Sequence, residues 1–257
     1  MPIPKIIHYC WLSGDPYPEL VQHCIQSWKE KLPDYELMLW DQNRFDIHSV
    51  PWVEQACAVK KWPPASDYIR LFALYKYGGI YLDSDVEVKK SFDSFLHLPY
   101  FVGRESRNDV FEAAVIGAQS GQEWVKQSLL FFKNTEFKTE KLYKDDYLAP
   151  LVLKKSVKKL GLVETKIDYI PKSYGDDRKF YVFSSDFFSP LNNLNLNIKS
   201  SKDNYAIHWF TGTWESPYQK RYKEIKKQYE AIGGKVLGKI VATLFILKEK
   251  IFRQYER

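Results

Sequence analysis

Residues 65–85 read Ala65-Ser66-Asp67-Tyr68-Ile69-Arg70-Leu71-Phe72-Ala73-Leu74-Tyr75-Lys76-Tyr77-Gly78-Gly79-Ile80-Tyr81-Leu82-Asp83-Ser84-Asp85. The apolar run 65–77 is spaced as a helix, with Ser66 or Asp67 near its start and Gly78-Gly79 as the pair that stops it. Ile80-Tyr81-Leu82 is a short apolar strand that runs into Asp83-Ser84-Asp85, and Val86-Glu87-Val88 continues in strand alternation. Ligands of open α/β sheets bind beyond the carboxyl ends of the strands. Two carboxylates flanking one residue at that end suit Mg²⁺ or Mn²⁺, which commonly bind through carboxylates together with substrate phosphates. Sixteen aspartates in 257 residues give about one Asp-x-Asp by chance, so the turn alone reads equally as a solvated loop. Asp67 and Arg70 lie three apart on one helical face. A surface salt bridge is the simplest account of them, but the helix is otherwise apolar, and a charge pair there must be paired or useful.

Working outward, residues 3–11 (IPKIIHYCW) read as a buried first strand and 12–16 as a loop. Residues 18–32 carry Leu20, Val21, Cys24, Ile25 and Trp28 at helical spacing, and 35–40 (YELMLW) form a second strand. Strand, helix and strand in this order begin a parallel, nucleotide-binding type of sheet. Further strands are expected at 100–103, 113–118 and 205–209, and a helix at 121–132. The Lys-rich, turn-rich segment 133–203 reads as loops with short strands on the acceptor side, with Asp145 and Asp146 as candidate acceptor contacts. Residues 217–255 read as mostly helical, hinged at Gly233-Gly234.

A chain that is 45% hydrophobic and 16% aromatic is too apolar for disorder. Its eight Trp and eighteen Tyr line either a ligand cleft or a ring-rich surface. Cys10, Cys24 and Cys57 have no metal-ligand spacing and are odd in number, so neither a zinc site nor a disulfide framework is expected, and a reducing compartment fits. No signal peptide and no membrane-spanning run is read. The net charge of +6 lies entirely in 215–257, which hold eleven Lys or Arg against five Glu. A neutral body argues against nucleic-acid binding.

The block at 65–85 resembles the signature of glycosyltransferase family 32, the sugar-binding-region transferases with a DXD motif. That family includes bacterial capsular polysaccharide transferases and yeast mannosyltransferases, and the clostridial glucosylating toxins carry a similar block. The opening Ile3-Pro4-Lys5-Ile6-Ile7-His8-Tyr9-Cys10-Trp11 and the late segment 206–214 (AIHWFTGTW) resemble two further blocks of the bacterial members, in the same order. The resemblance implies a GT-A type α/β fold with a central, mostly parallel sheet over 1–214 and a helical extension over 215–257. It implies retaining transfer of a hexose from a nucleotide-sugar, a UDP-sugar first and GDP-mannose second, to a glycan or lipid-linked acceptor in capsule or surface-polysaccharide synthesis. Asp85 looks like the direct metal ligand, for Mn²⁺ or Mg²⁺, and Asp83 like the carboxylate that contacts donor ribose and sugar with help from the metal. Asp67 and Arg70 look like donor-sugar contacts, and Tyr81 like a residue lining the nucleotide. Trp11 falls where the toxins stack a Trp on uracil, although it also reads as a core Trp ending strand one. His208 and Thr213 fall where related enzymes complete the metal coordination or hold the diphosphate, and Trp214 against the β-phosphate. The sequence departs from the family at Trp209, where a second His is usual, and at Thr213, where Ser is usual. His208 reads equally as a structural imidazole.

Two rivals remain open at this stage: an inactive sugar-nucleotide or glycan-binding module, and a metal-dependent nucleotide-sugar hydrolase. The intact Asp83, Asp85 and Arg70 speak against the first, and the absence of a nameable base against the second. Within the basic extension, Ile240 to Leu247 (IVATLFIL) is flanked by lysines. It reads either as an interfacial segment holding a cytoplasmic protein on the inner face of the membrane or as a helix packed on the body.

Overall fold

The computed structural model describes residues 1–105, 110–138, 147–192, 197–198 and 201–211, with scattered positions between 225 and 244. Strand β1 (Ile6–Cys10), helix α1 (Glu19–Lys31) and strand β2 (Glu36–Trp40) open the chain, and β1 and β2 pair in parallel. Helix α2 (Pro51–Ala58) and helix α3 (Trp62–Tyr77) lead to β3 (Gly79–Leu82) and β4 (Val86–Val88). Then come β5 (Tyr100–Arg104), β6 (Phe111–Ala118), α4 (Glu123–Lys133), α5 (Ala149–Lys159), β7 (Val163–Ile167) and β8 (Lys179–Phe183). A one-turn helix α6 (Ser185–Phe188) and short strands β9 (Leu191–Asn192), β10 (Asn197–Ile198) and β11 (Ala206–His208) follow.

The main sheet has seven strands in the order β2-β1-β3-β6-β5-β8-β7. Pairings β2-β1, β1-β3, β5-β8 and β8-β7 are parallel, whereas both pairings of β6 are antiparallel. The fold is thus mixed α/β with a central, mostly parallel sheet, as expected. Side chains alternate between two buried clusters. Ile80 and Leu82 point into the one that holds α1, and Tyr81 into the one that holds α2 to α5. Because β6 runs against its neighbours, its amino end lies with the carboxyl ends of β1 and β3. Asp83 N–H donates to the Ala114 carbonyl there, at 2.9 Å.

Three expectations are corrected. Helix α3 begins at Trp62, ahead of Pro63 and Pro64 rather than after them. A proline in the first turn loses only an N–H that has no partner within the helix. Between residues 41 and 62, where no element was expected, α2 packs Trp52, Val53, Ala56 and Cys57 into the core. The segment 133–203 is not loops with short strands alone, because it supplies helix α5 and two strands of the main sheet. Helix α5 buries Ala149, Val152, Leu153 and Val157, a helical spacing masked by its Lys-rich outer face. Edge strand β7 buries only Ile167, which is why its residues carry no apolar alternation.

Described residues up to Phe210 form one compact unit and those from Thr211 onward a second. All three cysteines are buried free thiols. Among the described residues no helix is long and apolar enough to cross a membrane.

Candidate active site

The site is built where β3 ends. Gly79 adopts φ +105°, and a Cβ there would meet the Ile6 carbonyl at 2.8 Å, so only glycine lets β3 start this close to β1. After Leu82 the chain turns, with Val86 N–H donating to the Asp83 carbonyl at 3.0 Å. It then enters β4, which pairs antiparallel with β11 and sets His208 opposite Val86. Helix α1 holds β4 from outside: Trp28 Nε1 donates to the Val86 carbonyl at 2.7 Å, and Val88 N–H donates to Ser27 Oγ at 2.9 Å. Two segments far apart in sequence therefore meet at the aspartate turn. His208 Nε2 lies 3.5 Å from Asp85 Oδ1, and Trp209 N–H donates to the Asp85 carbonyl at 3.1 Å.

On the other side of the turn stands Arg70, only 5% exposed. Its Nη2 is 2.7 Å from Asp67 Oδ1 and 3.3 Å from Asp83 Oδ1, and its Nη1 donates to the Ala113 carbonyl at 2.7 Å. The guanidinium lies 4.6 Å over the Tyr81 ring, whose hydroxyl donates to Asp83 Oδ1 at 2.9 Å. The Asp67–Arg70 pair is thus a buried brace rather than a surface salt bridge. Arg70 Nη2 and the Tyr81 hydroxyl together hold one oxygen of Asp83. Burial would lower the Arg70 pKa, yet Asp83, Tyr81 and Asp67 hold it above its ordinary value. Burial raises Asp67 to about 6, against the opposing pull of Arg70. Asp83 is raised for the same reason.

Strand β6 supplies the backbone partners through an irregularity. Its pairing with β5 jumps from Val102↔Ile116 to Gly103↔Glu112, which leaves residues 113–115 unpaired with β5, although Val115 still pairs with Leu82 of β3. Bulges of this kind recur beside active sites because they redirect backbone groups. Here the Ala113 carbonyl takes Arg70, the Ala114 carbonyl takes Asp83 N–H, and Ala114 N–H donates to Glu112 Oε1 at 2.9 Å. Glu112 is 1% exposed, and its Oε1 lies 3.2 Å from His208 Nδ1. That contact has ion-pair length, but its geometry falls short of a well-formed hydrogen bond. Burial would lower the His208 pKa, but Glu112 and then Asp85 raise it to about 10. Burial would raise Glu112, but His208 brings it below its ordinary value.

Asp83, Asp85 and His208 each offer a ligand atom within 4.8 Å of the others. Asp67, Asp83, Asp85 and Glu112 stand against one guanidinium and one imidazole. With the ring protonated, as the raised His208 pKa implies, four negative charges against two positive leave an excess of two. Two carboxylates and an imidazole with that excess fit a divalent cation. The structure therefore brings together Asp67, Arg70, Tyr81, Asp83, Asp85 and His208. Trp11 follows β1 at the same end of the sheet and is half-buried. Its ring meets that of Tyr17 edge-on at 5.0 Å, and its Nε1 donates to the Asp15 carbonyl at 2.7 Å. Thr213, Trp214, Asp145 and Asp146 lie outside the described residues. Glu112 is the residue that the sequence reading passed over. The signal was available, since it is the single charge in the buried run Phe111–Ala118.

Fold and site together define an α/β protein with an Asp-Asp-His centre suited to a divalent cation and the phosphates that accompany one. The stretch 18–101 matches the family described as "Glycosyltransferase sugar-binding region containing DXD motif". The chain is 36% identical over 129 residues to inositol phosphoceramide mannosyltransferase 3 of Schizosaccharomyces pombe, covering 49% of this chain and 36% of that protein. It is 33% identical over 108 residues to mannosyl phosphorylinositol ceramide synthase SUR1 of Saccharomyces cerevisiae, covering 40% of this chain and 28% of the relative. The chain thus spans about a third of the length of these relatives. Among solved structures it is similar to one titled "PaToxG Glycosyltransferase", with a TM-score of 0.49 and 23% identity over 62% of this chain and 70% of that one.

Proposed function

We propose that the chain is a metal-dependent, retaining GT-A glycosyltransferase that moves a hexose from a nucleotide-sugar to a glycan or lipid-linked acceptor. The observation that carries this reading is the convergence of Asp83, Asp85 and His208 beside the Asp67–Arg70 brace. Asp85 and His208, with Asp83 beside them, would hold Mn²⁺ or Mg²⁺, and the imidazole favours Mn²⁺. The bound cation supplies positive charge for a diphosphate leaving group. Asp67 and Arg70 hold the donor sugar's hydroxyls as its ring gains oxocarbenium character, and their mutual bracing keeps them in place without reorganisation. Tyr81 fixes Asp83 through its hydroxyl, Trp11 stacks on the base, and Thr213 and Trp214 serve the diphosphate. The acceptor hydroxyl attacks from the leaving-group face and passes its proton to a phosphate oxygen, so no protein nucleophile is required.

Both curated relatives are named for mannosyl transfer to inositol-phosphate ceramides. This makes a mannose nucleotide the first donor to test, ahead of a UDP-sugar, and a lipid-linked acceptor of surface-glycan synthesis the first acceptor. The purified protein is incubated with Mn²⁺ and each donor, with and without acceptor. Product that needs acceptor is expected, and hydrolysis alone would instead indicate a hydrolase. Asp85→Asn and EDTA should each abolish transfer. Full activity in either refutes the metal role.

The second unit is proposed to rest on an anionic membrane face on the cytoplasmic side. Ile232, Val236, Ile240 and Leu244 recur every four residues and are 73%, 73%, 51% and 60% exposed. Such an apolar stripe beside many lysines suits a headgroup boundary. Flotation with anionic liposomes at low salt is expected, and a chain that stays in solution refutes it.

A further inference from the structure

We propose that Glu112 is a positioning residue for this centre: through Nδ1 it fixes the orientation and tautomer of His208, so that Nε2 faces the cation held by Asp83 and Asp85. The inference rests on the metal reading above and adds a residue to it.

The two nitrogens of His208 address different carboxylates. Nε2 faces Asp85 Oδ1 at 3.5 Å, whereas Nδ1 faces Glu112 Oε1 at 3.2 Å. Glu112 is absent from the group whose ligand atoms lie within 4.8 Å of one another. It therefore stands behind the imidazole rather than beside the ion. A neutral imidazole has one donor and one acceptor nitrogen, and an ionised carboxylate can only accept. Glu112 thus makes Nδ1 the donor and leaves the Nε2 lone pair for the cation.

Burial makes the placement costly. Glu112 is 1% exposed, in a strand whose other residues are all apolar, and Phe111 and Ala113 beside it are 1% and 4% exposed. An isolated carboxylate there would be strongly disfavoured, and an apolar side chain would carry no such penalty. The irregular register at Glu112 turns Ala114 N–H onto the same Oε1 at 2.9 Å, which aims the carboxylate at the ring. Phe210 stacks on the other side of the circuit, with its ring centroid 3.8 Å from that of His208. The imidazole is therefore held in its plane by a ring and in its rotation by a carboxylate.

The test measures Mn²⁺ binding by the EPR signal of free Mn²⁺, with GDP or UDP present, in four full-length proteins: wild type, Glu112→Gln, His208→Ala and the double variant. A glutamine can present either an acceptor or a donor to Nδ1, so it no longer selects the tautomer. Glu112→Gln should weaken Mn²⁺ binding about tenfold or more, and adding it to His208→Ala should cost nothing further. Wild-type affinity in a folded Glu112→Gln protein overturns the proposal. So does an equal loss in both backgrounds, which would mean that Glu112 acts through the strand and not through the ring. If Glu112→Gln does not fold, the wild type decides. Ring ¹⁵N NMR with Mg²⁺ should show His208 protonated at Nδ1, and protonation at Nε2 overturns the idea. A wild type that binds no Mn²⁺ at all refutes the metal reading itself, a distinguishable failure.

Discussion

His8 sits in the middle of β1 and is fully buried, and its hydrogen bonds define its protonation state. Trp40 Nε1 donates to His8 Nδ1 at 3.2 Å, and an indole N–H can only donate, so Nδ1 is bare. Nε2 then carries the proton and donates to the Gly78 carbonyl at 2.7 Å. The ring thus ties β1 to the end of β2 and to the glycine turn that launches β3, and it does so only when neutral. Burial lowers its pKa from 6.5 to about 4, opposed by the Gly78 carbonyl and aided by the Arg44 charge. In the unfolded chain the ring protonates near 6.5. Between the two values the unfolded state binds more protons, so stability is full above pH 6.5, falls with pH through this window and levels below about 4. The difference between 6.5 and 4, at about 1.4 kcal/mol per unit, is worth roughly 3 kcal/mol. Asp67 works the other way, because its folded pKa of about 6 exceeds its ordinary 3.8 and adds stability in acid. The quantity to measure is therefore a difference: urea unfolding of wild type against His8→Gln from pH 7 to pH 4. The advantage of the wild type should shrink by about 3 kcal/mol across that range. An advantage that stays constant with pH would refute a buried neutral imidazole at His8.

Two further outcomes follow from the brace and the half-buried ring. Arg70→Leu leaves Asp67 and Asp83 facing each other without a cation, so urea unfolding at pH 7 should show a loss of about 3–5 kcal/mol, partly recovered by adding Asp67→Asn. A loss below about 1 kcal/mol would place the guanidinium in solvent. Trp11→Ala should weaken nucleotide binding by about 1–3 kcal/mol with little change in melting temperature, if its exposed face stacks on the base. Unchanged calorimetric affinity with a much earlier melt would make Trp11 a core residue.

Much of this molecule is legible in residues 3–118. The run 65–85 carries its own helix, its glycine stop, its strand and its acidic turn, because each rests on local spacing and turn chemistry. Glu112 and His8 are polar groups in apolar surroundings just as Asp67 and Arg70 are, but a single residue in a strand names no partner, whereas two charges three apart on a helix do. Helix α5 was hidden by its lysines and β7 by its place at the sheet edge.

The sequence by itself determined the α/β class, the acidic turn at the end of β3 and the buried pair on α3, since strand alternation, helical period and glycine φ act over a few residues. Only the tertiary structure decided that His208 reaches Asp85, that Glu112 stands behind it, and that a register shift in β6 turns Ala113 and Ala114 toward Arg70 and Asp83. The reason is physical. Those contacts cross 31 to 123 residues of chain, from Asp83 with Ala114 and Arg70 with Ala113 to Asp85 with His208. They are fixed by the pairing of β11 with β4 and of β6 with β3 and β5, a long-range choice made by packing the whole core at once.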